Sequence, residues 1–139
     1  MSTQEIIEGN EAISDFMDLK PLEWISDFGD KMKIWVNKKT EITEYDEPEL
    51  KYHSSWDWLM PVVEKIESIH DEHHGYFGVH ISSNSCSIQG TNLWKAIEEN
   101  SSYGSVYMSD PNAIFPTKIE STWYNIVEFI KWYNQTPHQ

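Results

Sequence analysis

Apolar residues recur at helical spacing in three parts of the chain, and each part predicts an amphipathic helix. The first part predicts a helix over Thr3–Asp18, in which Thr3 is the capping residue. The last predicts a helix that Thr117 and Glu120 begin with a capping box and that continues to about Asn134. The inward positions of these two helices are Ile6, Ile13, Phe16 and Met17, and then Ile119, Trp123, Ile126, Val127 and Ile130.

The stretch Tyr52–Ile69 predicts the remaining long helix. It begins at Ser54 or Ser55, whose hydroxyl can accept a hydrogen bond from the free amides of the first turn. Pro61 predicts either a later start or a bend, and Gly75 predicts a left-handed cap at the end. The apolar face consists of Leu59, Val62, Val63, Ile66 and Ile69.

Alternation of apolar and polar residues predicts a hairpin of two strands, Tyr76–Ile81 and Cys86–Gln89, and a third strand over Ser105–Met108. A short helix is predicted over Thr91–Glu99. Residues 20–51 are less regular. There the pattern predicts a short helical or irregular cover from Leu22 to Phe28, a short strand over residues 33–36, a turn over 37–40 and an exposed, extended connection over 41–49.

This order of elements predicts an α+β fold with a small antiparallel sheet of about three to four strands. Two long amphipathic helices and the N-terminal helix pack with that sheet. A length of 139 residues fits a single domain. Within it, residues 1–51 are expected to form an acidic N-terminal helix and an irregular region, and residues 52–139 an α/β core.

Charge is the most unusual property of the composition. The chain has 23 acidic and 10 basic residues, a net charge of −13, and every basic residue is lysine. The absence of arginine argues against direct binding of nucleic acid, because arginine is the preferred side chain for forked recognition of phosphate. Residues 1–75 have a net charge of −11 and residues 76–139 a net charge of −2.

Two groups of carboxylates produce this imbalance. Glu8, Glu11, Asp15 and Asp18 follow one another at three- and four-residue steps on the first helix, where such side chains lie about 5–6 Å apart. The second group consists of Glu41, Glu44, Asp46, Glu47 and Glu49. Each group is either a solvated face or a docking surface for a basic partner.

Candidates for chemistry are few. His70, His73 and His74 have the spacing of metal ligands on a helix, but histidines at a helix end also favour the macrodipole. Cys86 is a lone strand cysteine, which is typical of a small buried residue rather than a nucleophile. No phosphate loop, nucleophile elbow or dinucleotide fingerprint is present, so we expect no cofactor and no enzymatic activity.

Aromatic residues exceed what one small core needs, and some of them are expected to be exposed at a partner surface or in a homo-oligomer. Trp56 is the candidate nearest the start of the second helix. The full set is Trp56, Trp58, Trp94, Trp123, Trp132, Tyr103, Tyr107, Tyr124 and Tyr133. The N-terminal residues form neither a signal peptide nor a membrane span, so a cytoplasmic protein that does not bind membranes is expected.

Two segments resemble known proteins. The segment Tyr52–Glu67 (YHSSWDWLMPVVEKIE) and the closing segment Lys118–Tyr133 (KIESTWYNIVEFIKWY) are similar to small proteins of bacteriophages and prophages, including phage ABA-sandwich proteins. The resemblance covers roughly the last two-thirds of the chain and excludes the acidic residues 41–49. It implies phage origin and a fold rather than a reaction.

Two functions follow as hypotheses. The first is a non-enzymatic phage accessory protein that inhibits a host defence or nucleic-acid-handling protein in the cytoplasm of the bacterial host. Its acidic face would bind the basic surface of that protein, as an imitation of nucleic acid. The alternative is a sponge that sequesters a nucleotide immune signal in an aromatic pocket. The candidate ligand-binding residues of the sponge are Trp94, Lys95, Tyr103 and Lys118.

Overall fold

The computed structural model describes residues 2–71, 75–83, 85–90, 107–108 and 115–135. The chain divides into two compact units, Met1–Lys51 and Tyr52–Gln139, which we call the N-terminal and the C-terminal unit. Helices and antiparallel sheets occur in both units, so the predicted α+β class is confirmed. In chain order the elements are α1 (Thr3–Phe16), β1 (Leu19–Ile25), β2 (Lys31–Asn37), β3 (Thr43–Tyr45), α2 (Trp56–Ser68), β4 (His70–Asp71), β5 (Gly75–Ile81), β6 (Cys86–Gly90), β7 (Tyr107–Met108) and α3 (Lys118–Gln135).

Helix α1 begins and ends differently from the prediction. Its cap is Ser2 rather than Thr3, since the Ser2 hydroxyl accepts a hydrogen bond from the amide of Glu5 at 3.1 Å. The helix ends at Phe16, and Asp18 adopts a left-handed conformation with a φ of 59°. A residue in that conformation cannot continue a right-handed helix, so the predicted extension to Asp18 is wrong.

The sheet of the N-terminal unit is an antiparallel meander in the order β1-β2-β3. The predicted strand over 33–36 and the turn after it are present, but β1 occupies most of the region expected to be helical or irregular. That part of the prediction is therefore wrong, and the described residues form two sheets instead of one. Within the exposed connection over 41–49, Thr43–Tyr45 forms the short strand β3.

Strands β1 and β2 are joined by a tight turn between Ser26 and Asp30. The amide of Ser26 donates to the carbonyl of Asp30 at 2.8 Å, and the amide of Gly29 donates to the carbonyl of Ser26 at 2.9 Å. The Ser26 hydroxyl accepts from the amides of Phe28 and Asp30 at 3.3 and 3.1 Å. Gly29 has a φ of 85°, as the last residue of a three-residue hairpin loop requires.

The sheet of the C-terminal unit has the order β4-β5-β6-β7, with two-residue strands at both ends. The predicted hairpin of β5 and β6 is confirmed, and Val79 lies opposite Ile88. Phe77, Cys86 and Ile88 are buried on the face that these strands share, while Tyr76 and His80 on the other face are exposed. Helix α2 contacts β5 and α3 contacts β6, so the unit has one layer of helices on one layer of sheet.

Helix α2 is shorter than predicted. Its N-cap is Ser55, but no side-chain hydrogen bond caps it, and the helix continues through Pro61. It ends at Ser68, so Gly75 is not its cap. Gly75 instead begins β5, with a φ of 71°.

Helix α3 closes the core of the C-terminal unit. The amide of Glu120 donates to the Thr117 hydroxyl at 3.2 Å, as expected for the predicted cap. The ring of Phe129 lies 5.2 Å from that of Phe77 and 5.8 Å from those of Trp132 and Tyr133. Edge-on and offset contacts of this kind add to the free energy of burial. The predicted helix over 91–99 lies outside the described residues.

Candidate functional site

Three of the four carboxylates predicted to form a stripe lie on α1. Glu8 and Glu11 are exposed on the helix, and no ion pair involves them within the described part of the chain. Asp15 instead forms an ion pair with Lys38. Asp18, beyond the end of the helix, lies 3.7 Å from the ammonium group of Lys39. Glu8, Glu11 and Asp15 are exposed on α1 at the predicted spacing, and only Asp18 lies outside the helix. Lys38 and Lys39 partly neutralise Asp15 and Asp18.

The acidic segment, residues 41–49, is neutralised in a similar way at two positions. Glu41 lies 3.4 Å from the ammonium group of Lys20, and Glu47 lies 2.6 Å from that of Lys51. The remaining acidic residues of the segment are exposed, and none has an ion pair among the residues the structure covers. They are Glu44, Asp46 and Glu49.

Two buried side chains hold the end of the acidic segment in place. The indole N–H of Trp35 donates to the carbonyl of Pro48 at 3.1 Å, and the amide group of Asn10 donates to the carbonyl of Leu50 at 3.1 Å. Asn10 and Trp35 are 4% and 5% exposed. The acidic segment is thus anchored to both α1 and β2. This anchoring fixes where its carboxylates lie within the N-terminal unit.

Neighbouring groups respond to the field of these carboxylates. The hydrogen bond from Lys51 to Glu47 raises the pKa of Lys51 above its ordinary value, and the charges of Glu47 and Glu49 add to the effect. Partial burial raises the pKa of Tyr45, and the adjacent charge of Glu44 raises it further. In both cases the charges of nearby carboxylates make a secondary contribution, after burial at Tyr45 and the hydrogen bond at Lys51.

Trp56 does not belong to the same unit as these carboxylates. It is the first residue of α2, in the C-terminal unit, and is half-buried. Two other members of the aromatic set are buried: Trp58 packs edge-on against Tyr52 at 5.3 Å, and Trp123, one of the predicted inward positions, is 2% exposed. Trp132, Tyr124 and Tyr133 are half-buried. An interface through exposed aromatic residues of the long helices stays a prediction.

Of the residues proposed for the alternative nucleotide site, only Lys118 lies within the described residues. It is exposed at the start of α3, and its backbone carbonyl accepts hydrogen bonds from the hydroxyls of Ser121 and Thr122 at 3.0 and 2.8 Å. Trp94, Lys95 and Tyr103 lie outside the described residues. The nucleotide site therefore stays a prediction.

The interpretation of His70, His73 and His74 as metal ligands assumed that all three lie on one helix, but α2 ends before them. Because α2 ends at Ser68, His70 lies in β4 opposite Tyr76, and the two rings are 4.9 Å apart. His73 and His74 lie outside the described residues. Among the described residues no group of three or more His, Cys, Asp or Glu side chains could hold a metal ion.

Cys86 has the character of a core residue. It is 2% exposed, and burial raises its pKa from 9.0 to about 12, against a smaller opposing effect of a hydrogen bond with Thr122. The thiolate is the nucleophilic form of cysteine, so a protonated, buried thiol is chemically inert near neutral pH. The sequence-based interpretation of Cys86 as a small buried residue is confirmed.

The sequence-based prediction missed the most exposed apolar surface of the N-terminal unit. This surface lies on the β1–β2 hairpin, and we call it the apolar hairpin. Its members are each at least 40% exposed, and Phe28 in the turn is 92% exposed. They are Leu22, Trp24, Ile25, Phe28 and Met32. Apolar residues in this number at one tip are typical of an interaction site, whereas single exposed ones are common.

A cleft beside the apolar hairpin has a volume of about 550 Å³. Trp24, Ile25 and Met32 provide its apolar lining, together with Pro48 of the acidic segment. Its polar lining consists of Glu23, Lys31 and Lys33, and Glu23 lies 3.8 Å from the ammonium group of Lys33. The cleft therefore joins the apolar hairpin to the acidic segment.

The signal for this hairpin was present in the sequence. Leu22 and Trp24 alternate with polar residues before the loop Asp27-Phe28-Gly29, and Met32 and Ile34 alternate after it. Two alternating runs joined by a short loop that contains glycine are typical of a β-hairpin.

Comparison with protein-family models, with curated proteins and with solved structures found no match for this chain. The resemblance to phage proteins therefore stays a prediction. No helix among the described residues has the length and apolar composition needed to cross a membrane.

Proposed function

We propose that this chain is a non-enzymatic accessory protein that inhibits another protein by binding its basic surface. The working surface is the N-terminal unit. One observation carries the proposal: carboxylates that are exposed and have no ion pair with any described residue lie on the same compact unit as the apolar hairpin. The unit has 13 acidic residues and 6 lysines, a net charge of −7.

The two kinds of surface have different roles in such an interaction. Unpaired carboxylates attract a basic partner over a distance and increase the rate of association. Desolvated aromatic and aliphatic side chains provide most of the free energy of binding at protein interfaces. Support for a phage origin, for a host defence or nucleic-acid-handling target and for action in the host cytoplasm comes from the sequence resemblance and the acidic composition.

The carboxylates that form ion pairs within the chain contribute less to binding than the unpaired ones. Glu41 and Glu47 each have a lysine within 3.4 Å, so part of their field is cancelled before any partner arrives. The unpaired residues Glu8, Glu11, Glu44, Asp46 and Glu49 are therefore the proposed contact residues for the basic surface of the partner.

The test is affinity capture from a bacterial lysate, followed by titration of each captured protein against purified variants. In the first variant Glu8→Gln and Glu11→Gln remove two unpaired charges. In the matched control, Lys20→Gln and Glu41→Gln remove one ion pair and leave the net charge unchanged. The proposal requires weaker binding for the first variant, near-normal binding for the control, and an affinity that falls as salt increases.

Equal binding of both variants would contradict the proposal. An affinity that does not depend on salt would also contradict the proposal, because exposed charges are screened at high ionic strength.

A further inference from the structure

Strand β1 is an edge strand of the N-terminal sheet, and among the described residues it pairs only with β2. Two hydrogen bonds define which of its backbone groups point toward β2. The amide of Lys38 donates to the carbonyl of Asp18 at 2.7 Å, and the amide of Ser26 donates to the carbonyl of Asp30 at 2.8 Å. Both pairs belong to the register in which Leu22 lies opposite Ile34 and Trp24 lies opposite Met32.

In an antiparallel pair, every second residue exchanges hydrogen bonds with the neighbouring strand, and the residues between point their amides and carbonyls away from it. Since Asp18 and Ser26 bond across to β2, Leu22 and Trp24 do so as well. The backbone groups of Leu19, Pro21, Glu23 and Ile25 therefore point to the open side of β1.

Pro21 occupies one of these outward positions. It has no amide hydrogen, so at this position it removes no hydrogen bond from the ladder with β2. The outward amides of Glu23 and Ile25 remain available beyond it. Both residues are exposed, and Ile25 is 68% exposed. The open part of the edge is thus the half nearer the turn.

The side chains along this half separate by face. Leu22 and Trp24, with Ile34 and Met32 opposite them, form an apolar face that is exposed at Leu22, Trp24 and Met32. The other face has Glu23 opposite Lys33 and Ile25 opposite Lys31. A strand added beside β1 would therefore contact apolar residues on one face and a mixed, charged surface on the other.

We propose that the edge of β1 between Leu22 and Ile25 binds an extended segment of the partner protein as an added strand, in which apolar residues alternate with lysine or arginine. The inference rests on the proposed function and specifies how the partner is recognised. Apolar side chains of the segment pack on Leu22 and Trp24, which lie on the apolar face of the hairpin. Main-chain hydrogen bonds form with Glu23 and Ile25.

Charge determines the occupant. Asp27 and Asp30 are exposed in the adjoining turn and have no ion pair in the described part of the chain, and the whole unit has a net charge of −7. A basic segment complements the field of the unit and the carboxylate of Glu23 on the edge strand, while Lys31 and Lys33 lie on β2, one strand away from the edge. A second copy of the chain complements this field poorly, because it has a net charge of −13 and places its own Glu23 and turn aspartates along the same edge.

The probe is a capped synthetic peptide of alternating valine and lysine, about six residues long, which is the commonest length of a strand. It is titrated into the full-length, isotope-labelled chain, and amide hydrogen exchange is followed by NMR. Bound peptide should slow exchange at Glu23 and Ile25 by about tenfold or more, because those amides gain hydrogen bonds. Leu22 and Trp24 should change less, since their amides already bond to β2.

Two control peptides distinguish binding by strand addition from binding by charge alone. A peptide N-methylated at every second residue loses one row of amide donors, and methylation of one of the two alternate sets should abolish binding while methylation of the other should not. An alternating serine–lysine peptide keeps the charge and lacks the apolar contacts, and it should bind at least about tenfold more weakly.

On the protein, Ile25→Pro removes an outward amide without affecting the ladder with β2, and Ile25→Ala removes only the side chain. The proposal requires Ile25→Pro to reduce peptide binding much more than Ile25→Ala. Circular dichroism and the NMR signals of β2 residues test whether both variants remain folded.

Strand addition is wrong if both N-methylated peptides bind like the unmodified one, or if slowed exchange appears at Glu8, Glu11 or the acidic segment and not at Glu23 and Ile25. The acidic surface of the proposed function can still bind a basic partner in that case. Strand addition is also wrong if the free chain is a dimer that Ile25→Pro converts to a monomer, because the edge then binds a second copy. Loss of partner binding in the Glu8→Gln and Glu11→Gln variant tests the proposed function separately.

Discussion

The two units of this chain place their apolar residues in opposite ways. In the C-terminal unit, large aromatic residues contact one another inside: Phe77 and Phe129 are 2% and 0% exposed. In the N-terminal unit, many large apolar residues are on the surface. Among the described residues, seven of the nine exposed large hydrophobic side chains belong to the 51 residues of this unit. In the described part of the chain, exposed apolar surface is therefore concentrated in the N-terminal unit, which is the unit that we propose binds a partner.

Charge differs between the units as well. The N-terminal unit has a net charge of −7 over 51 residues, and the C-terminal unit, with 10 acidic residues and 4 lysines, has a net charge of −6 over 88 residues. The higher charge density coincides with the exposed apolar hairpin. A high net charge destabilises the folded state through self-repulsion, and it favours solubility and association with an oppositely charged surface.

The largest expected effect contrasts a buried phenylalanine with an exposed one. Phe129→Ala should reduce the free energy of unfolding by about 3–5 kcal/mol, because it leaves a cavity beside Phe77, Trp132 and Tyr133. Phe28→Ala, at a side chain that is 92% exposed, should change it by no more than about 0.5 kcal/mol. Urea denaturation measures both. Similar losses for the two variants would remove the distinction between the units.

The second effect concerns Cys86 and depends on pH. A thiol whose pKa is raised from 9.0 to about 12 holds its proton in the folded state where the unfolded chain has lost it. The contribution of the protonated Cys86 thiol to the free energy of unfolding is therefore fully present below pH 9. It decreases between pH 9 and 12, at most by about 1.4 kcal/mol per pH unit. The measurement is the difference in unfolding free energy between the native chain and Cys86→Ala as a function of pH.

Other groups titrate in the same range, but they are common to both proteins and cancel in that difference. A difference that stays constant between pH 9 and 12 would show that Cys86 is more accessible to water than its 2% exposure indicates.

The third effect tests the helix caps of the two units. Thr117→Ala and Ser2→Ala should each cost about 1 kcal/mol, because each hydroxyl accepts a hydrogen bond from an amide of the first helical turn. Ser55→Ala should cost less, since the Ser55 side chain makes no capping hydrogen bond in α2. Thermal unfolding compares the three variants. A loss of stability for Ser55→Ala equal to that for Thr117→Ala would show that the Ser55 hydroxyl caps α2, as the sequence predicted.

The smallest effect is expected for the ion pairs of the N-terminal unit. Asp15→Asn removes the carboxylate that pairs with Lys38, and both side chains are more than a third exposed. Such pairs contribute about 0–1 kcal/mol, and less at high salt. A double-mutant cycle of Asp15→Asn with Lys38→Gln isolates the coupling free energy. A coupling well above that range would mean that the pair is part of the scaffold.

The sequence was most informative where local signals and burial agreed. The apolar period of α3, its cap at Thr117 and the alternation in β5 and β6 all specify the same elements that the structure contains. In these segments one face is buried in the core, so the spacing of apolar residues in the sequence indicates directly which residues form that face. The burial of Cys86 followed for the same reason.

The prediction failed where apolar residues do not face a core. Leu22 and Trp24 are exposed in β1. The assumption that such residues face a core led to the prediction of a helical or irregular segment that covers the core, instead of a strand. The end of α2 failed for a different reason: Gly75 adopts the left-handed conformation expected of it, but as the first residue of β5, seven residues after the end of the helix. A glycine signal alone does not distinguish a helix cap from a hairpin turn.

The candidate site could be predicted only in part. Composition located the carboxylates, but it could not show which of them have a lysine partner, because Asp15 and Lys38, or Lys20 and Glu41, are more than twenty residues apart in sequence. Anchoring of the acidic segment depends likewise on contacts from Asn10 and Trp35 that are distant along the chain. Tertiary contacts of this kind leave no local pattern.

Pro21 also limits how far a sheet can grow from one molecule to the next. Open strand edges are a common starting point of aggregation, because each added strand can offer a new edge of the same length. In β1 the proline lacks the donor that a longer register would need, so an incoming strand finds a continuous set of amides only near the turn. The same edge that is open enough for recognition is therefore too short to serve as the template of a fibril.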